Sequence, residues 1–125
     1  MISRKLAPFG SLEWAVLECL WERGEATARE VHDVVGTGRG LAYTTILTTL
    51  QRLAQKGELL RRGSGRAHVY SPVVTREAFA KRRGGDLAAT LTRLGSAGVA
   101  AFLAEAERLD PAVVDQLRRQ LEERP

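Results

Sequence analysis

The stretch AYTTILTTLQRLAQKG, from Ala42 to Gly57, restricts the fold of this chain more than any other segment. Its apolar residues follow a helical spacing. With Ile46 at zero and about 100° per residue, Ala42, Ile46, Leu50 and Leu53 fall within about 40° of one another, a narrow core stripe. The far side holds Thr44, Thr48, Gln51 and Gln55, with Arg52 and Thr45 on one shoulder and Leu47 on the other, and it carries no acid. Threonines at 44, 45, 48 and 49 are a poor choice for helix stability alone, because branching at Cβ restricts their rotamers. They suit a helix that approaches DNA closely. Each offers a hydroxyl for phosphates or base edges and a methyl for the thymine methyl, while Gln pairs with adenine and Arg with guanine or phosphate.

The flanking segments extend this reading. TAREVHDVV opens with a capping box, in which Thr27 accepts from the Glu30 amide and Glu30 reaches back to the Thr27 amide. Val31, Val34 and Val35 give that helix an apolar face, His32 falls off the face as a surface histidine, and GTGRG ends it with a tight change of direction. Two short helices joined by a glycine turn, the second with a polar outer face, predict a helix-turn-helix. ELLRRGSGRAHVYSP then supplies two extended runs, Leu59 to Arg62 and Ala67 to Ser71, joined by Gly63-Ser64-Gly65 as a hairpin. This wing carries Arg61, Arg62 and Arg66 near its tip for the phosphate backbone or minor groove, with Val69 or Tyr70 turned to the core. His68 is either a phosphate donor or a satisfied strand residue, and the second is preferred.

GSLEWAVLECLWERGE predicts a helix capped by Ser11 and ended by Gly24. Leu12, Val16, Cys19 and Leu20 form one apolar stripe and Trp14, Leu17 and Trp21 another, so this helix is covered from two directions. Cys19 reads as a buried small hydrophobe, with a redox sensor as the alternative. As the sole cysteine it closes no internal disulfide and fits no metal-ligand spacing. The first residues lack the apolar run of a signal peptide, and no window approaches the roughly 20 apolar residues of a membrane span. The expectation is a cytoplasmic protein with no direct membrane insertion, no metal and no cofactor. The net charge of +4 is unevenly spread. Arg39 to Arg83 holds ten Lys/Arg against two acids, about +8, which points to a polyanionic partner.

After Pro72 the sequence turns to thin amphipathic helices, so the division expected is a winged-helix domain over 1–73 and a helical region over 74–125. Thr75 is a cap and Leu87, Leu91 and Leu94 share a face, while Gly84-Gly85 either breaks the helix or sits inside it at roughly 1 kcal/mol each. Val99, Phe102, Leu103 and Ala106 follow. A last helix begins with Asp110 as N-cap and Pro111 at its first position, backed by Val113, Val114, Leu117 and Leu121. Such faces bury too little alone, and pairing with the same helices of a second chain is the economical solution. A two-fold dimer also presents two recognition helices to two half-sites. The fold class expected is mainly α, a winged helix-turn-helix followed by a helical dimerisation region.

LEWAVLECLW, REVHDVV, LAYTTILTTLQRLAQKGEL and RAHVYSPV, in that order, resemble the BlaI/MecI penicillinase-repressor family of winged-helix transcriptional regulators. The resemblance covers nearly all of the chain from Leu12 onward. It implies a homodimeric repressor acting on inverted repeats that commonly contain TACA and TGTA, with recognition roles on Thr44, Thr45, Thr48 and Arg52. It also implies a membrane-bound metalloprotease sensor that signals cell-wall antibiotics and leads to a cut in the C-terminal region, often at Asn-Phe. The matching position here is Ala101-Phe102, without the asparagine. The cysteine cluster of copper-responsive relatives is absent.

Two other classes compete. A winged helix also serves as a protein-interaction module, which leaves the basic segment without a polyanion. A regulator released by a small molecule or by oxidation is the other. No enzyme is expected: two separated histidines, no phosphate-binding glycine loop and no nucleophile with an evident base give no catalytic constellation.

Overall fold

The computed structural model describes residues 10–63 and 68–124. The chain divides into two compact units, Met1–Arg83 and Gly84–Pro125. The first contains helix α1 (Ser11–Arg23), strand β1 (Ala26–Thr27), helix α2 (Ala28–Val31), a π-helical turn over His32–Gly36, helix α3 (Thr37–Arg39), helix α4 (Tyr43–Gln55) and strands β2 (Leu59–Arg62) and β3 (Val69–Pro72). Helix α5 (Arg76–Leu109) begins in this unit and continues into the second, which ends with α6 (Pro111–Glu123).

Three helical faces meet in the core of the first unit. Val16, Leu17 and Leu20 come from α1, Val31 and Val35 from α2 and the π turn, and Ile46, Leu50 and Leu53 from α4, all buried. The helical period expected for α4 puts Ile46, Leu50 and Leu53 together, but Ala42 lies outside the stripe: it is the exposed, extended N-cap residue. Val34 is also displaced from its expected place. The π turn adds a residue to the local repeat, which carries Val34 to the surface at 56% exposure and keeps Val35 inside. The helix does not stop at the first glycine of GTGRG either. It runs through Arg39 and ends at Gly40, whose left-handed φ of 67° favours glycine.

The Thr27–Glu30 capping box forms as the sequence predicts, with hydrogen bonds of 2.9 and 3.2 Å. Accepting the Thr27 amide and hydroxyl-side contacts holds the Glu30 carboxyl below the usual carboxylate range. At α1 the cap is Gly10 rather than Ser11, and its amide donates to the Glu13 carboxylate.

The sheet is antiparallel in the order β1-β3-β2. The antiparallel pair β2 and β3 is the expected wing, and the Ser64-Gly65 part of its expected turn, with Ala67, lies outside the described residues. The two-residue strand β1 is a third member that sequence reasoning misses, since Ala26-Thr27 is too short to show alternation. Its small Ala26 lies opposite Tyr70, which resolves the choice between Val69 and Tyr70: Tyr70 is the fully buried one. His68 is half-buried, with its Nδ1 shielded from solvent and without a partner among the described residues.

The first unit runs past the hairpin because α5 contributes to its core. Phe79 is buried and packs edge-on against Trp14 and tilted against Trp21, at 5.4 and 5.3 Å between ring centroids. The Trp21 indole N–H donates to the Val74 carbonyl (3.0 Å), and Arg82, lying over Phe79, pairs with Glu58. The second apolar stripe of α1 therefore has its own cover.

In the second unit Gly84 and Gly85 sit inside α5, and the helix breaks instead at Gly95 (φ 73°, ψ −163°). No described residue of this unit is buried. By length and mean hydropathy, 1.4 in its most apolar window, α5 is long and apolar enough to cross a membrane. This corrects the expectation that no window comes close. The apolar run from Leu87 to Ala104 nevertheless contains Gly95, and a backbone broken there interrupts the continuous internal hydrogen bonding that a bilayer demands.

Cys19 is buried, and that burial pushes its thiol pKa up despite the opposing Arg23 charge. The thiolate is thus doubly disfavoured for reaction. Native protein is expected to resist labelling by a thiol reagent and to label fully once denatured. Rapid labelling in the native state would restore the redox-sensor alternative.

Candidate nucleic-acid interface

Helix α4 sorts its residues sharply. Ile46, Leu50 and Leu53 anchor one face in the core, and Thr44, Thr45, Thr48, Gln51, Arg52 and Gln55 are all exposed on the rest. The helix holds no acid, so the exposed face offers hydroxyls, amides and one guanidinium without a competing carboxylate. Thr49 does not belong to this face. It is buried, and its hydroxyl donates back to the Thr45 carbonyl at 2.9 Å, which satisfies the one polar atom it brings inside.

The wing arginines differ from one another. Arg61 is exposed and makes no ion pair among the described residues. Arg62 is exposed but paired with Glu25, which partly neutralises it. Arg66 lies outside the described residues. Lys56, at the C-terminal end of α4, forms a 2.8 Å ion pair with Glu13 of α1. Exposed pairs of this kind contribute little to stability, about 0–1 kcal/mol, and chiefly set where charge is presented.

Three further residues converge at the start of α4: Tyr43 and Arg29, which carry no assignment in the sequence analysis, and His32, expected there at the surface. Tyr43, its first residue, has the Arg29 guanidinium 5.4 Å from its ring centroid and the His32 ring edge-on at 6.2 Å. His32 is half-buried rather than a surface residue, and its Nε2 lies 2.8 Å from the Leu41 carbonyl. The spacing of Arg29 and His32, three apart on a helix, was the available signal. What it lacked was the fold of the glycine turn that brings Leu41 back to them.

The chain matches the penicillinase repressor family over residues 9–123. It belongs to that family. It is also 42% identical over 120 residues to the transcriptional regulator BlaI of Mycobacterium tuberculosis, in strain CDC 1551 / Oshkosh and likewise in strain H37Rv. These alignments cover 95% of this chain and 86% of each relative. Among solved structures, the DNA-binding domain of the repressor BlaI superposes with a TM-score of 0.51 at 27% identity, covering 59% of this chain and 90% of that one. A MarR family transcription regulator matches with a TM-score of 0.50 at 20% identity over 96% of this chain and 80% of that one, a likeness of fold alone.

Membership of the penicillinase repressor family makes the chain a DNA-binding transcriptional repressor of the BlaI type with a winged helix, in a family of regulators rather than enzymes. Among the described residues, no group of three or more His, Cys, Asp or Glu side chains is arranged to hold a metal.

Proposed function

We propose that this repressor reads an inverted-repeat operator of the TACA/TGTA kind as a homodimer. In this reading Thr44, Thr45, Thr48, Gln51 and Arg52 face the bases, and Arg61, Arg62 and Arg66 hold the phosphate backbone. The single observation that carries it is the outer face of α4: five donor and acceptor side chains, all exposed and without an acid among them. In this reading the protein works in the cytoplasm, alongside the DNA it represses.

Dimerisation is supported by the second unit. Of the residues expected to pair, Leu91, Phe102 and Val114 are half-buried, while Leu87, Leu94, Val99, Leu103, Leu117 and Leu121 are exposed. Val113 is exposed beside them. Apolar side chains spread over a unit in which no described residue is buried gain most from covering one another across a two-fold axis. Release by a membrane metalloprotease sensor, with a cut at Ala101-Phe102, completes the proposal. That bond lies within a helical segment, so a cut there requires the helix to unwind locally first.

The test is fluorescence anisotropy at about 0.15 M salt, against a duplex with inverted TACA/TGTA half-sites and against its scrambled form. A preference of roughly 10³-fold or more is expected. Arg52→Ala is expected to cost about 1–3 kcal/mol on the cognate duplex and little on the scrambled one. Arg61→Ala should weaken both and flatten the salt dependence. Equal wild-type binding to the two duplexes, confirmed by selection from random DNA, would overturn the proposal.

A further inference from the structure

The turn that leads into α4 has little intrinsic stiffness. Gly36, Gly38 and Gly40 are three of its residues, and Ala42, the N-cap of α4, has no side chain that can cap the helix. Yet the turn is folded back on a single residue. The His32 carbonyl accepts the Thr37 amide, which closes the π turn, and also the Thr37 hydroxyl at 3.2 Å. The His32 ring meets the Leu41 carbonyl at 2.8 Å, and since a carbonyl only accepts, Nε2 carries the proton and donates. Leu41 in turn donates its amide to the Gly36 carbonyl at 3.0 Å. His32 thus grips both ends of the loop and stops one residue short of the N-cap of α4.

Gly36 makes room for this grip. A Cβ at that position would lie 2.5 Å from His32 Cδ2 and 3.1 Å from Ile46 Cγ1, so any larger residue displaces the ring or the core residue beneath it. The other edge of the cluster is Tyr43, with the His32 ring edge-on to it and Arg29 over its face. π turns of this kind are uncommon and tend to occur where a helix serves a site.

We propose that His32 is a positioning residue for the DNA interface: its Nε2–H bond to the Leu41 carbonyl fixes how α4 leaves the glycine turn, and thereby how sharply the protein discriminates among DNA sequences. The inference rests on the DNA-reading role proposed for the outer face of α4. Without the bond, the first turn of α4 samples more orientations, and ordering it is a cost that falls on sequence-specific binding. Loose binding to phosphates does not need that order and is spared.

The test uses the full chain as wild type, His32→Gln, His32→Asn, His32→Leu and Gly36→Ala. Gln places an amide N–H at the same number of bonds from the backbone as Nε2, whereas Asn is one bond too short to reach Leu41. Two quantities are read: the affinity ratio between a duplex selected from random DNA by the wild type and its scrambled form, and amide hydrogen exchange over 41–46 without DNA. His32→Asn, His32→Leu and Gly36→Ala are expected to exchange faster there and to lose about three- to tenfold in the ratio, the worth of one hydrogen bond, at unchanged scrambled-duplex affinity. His32→Gln should recover both readouts to within about twofold. Wild-type exchange and ratio in His32→Asn, or failure of His32→Gln to recover in a chain that melts normally, would overturn the assignment. If the wild type itself shows no preference for any duplex, the DNA-reading proposal falls, and exchange over 41–46 decides the latch alone: faster in His32→Asn supports it, unchanged overturns it.

Discussion

Leu53→Ala should destabilise the winged unit by about 2–5 kcal/mol, the range for removing a large aliphatic side chain from a core that relaxes incompletely. Leu53 is fully buried in the last turn of α4. In a unit of this size the loss corresponds to a fall in Tm on the order of 10–20 °C, readable by circular dichroism. Thr48→Ala on the outer face of the same helix is the matched control. It should stay within about 0.5 kcal/mol of the wild type, because the threonine is exposed and alanine is the better helix former. A Leu53→Ala chain that melts within about 2 °C of the wild type would show that α4 is not seated in the core as described.

The second large effect concerns the second unit. Leu103 and Leu117 sit exposed on α5 and α6. Carried together, Leu103→Glu and Leu117→Glu should abolish association, and light scattering at micromolar concentration should then give the mass of a single 13.7 kDa chain. Affinity for a duplex with two half-sites should fall by about 10²-fold or more, because the second contact is no longer intramolecular. Affinity for a single half-site should not change. A wild-type chain that is already monomeric under these conditions would overturn the dimeric reading, as would a double variant that keeps its partner.

Much of this architecture was legible because its signals are local. The Thr27–Glu30 box and the Asp110-Pro111 start depend on residues two or three apart, and both form. The Ile46, Leu50 and Leu53 stripe of α4 follows from helical period alone, and Ala42 drops out of it only because the helix starts one residue later. What escaped was decided by contacts distant in sequence or by departures from regular geometry. Phe79 belongs to the first core because two tryptophans of α1 wait for it, more than fifty residues earlier. Val34 and His32 were misplaced because a π turn shifts the repeat on which their faces were assigned. Thr49 resembles its neighbours in type, but its angle around the helix puts it nearer the core, where it is buried. Gly84-Gly85 is the glycine pair of α5, yet the helix breaks at the single Gly95, where the backbone takes a positive φ. For the candidate interface the residue types on α4 were readable, and the grip of His32 on Leu41 was not, because it needs the turn already folded.

The inward turn of Thr49 has a consequence for how such a repressor changes over evolutionary time. The residues of α4 that hold it in the core (Ile46, Thr49, Leu50 and Leu53) and those proposed to meet DNA (Thr44, Thr45, Thr48, Gln51 and Arg52) share no member. Mutations can therefore accumulate on one side without taxing the other. On the proposed readout, a lineage retargets its operator by rewriting those five positions while its folding stays under separate selection, and the same partition gives an engineer a surface on which to write a new sequence preference.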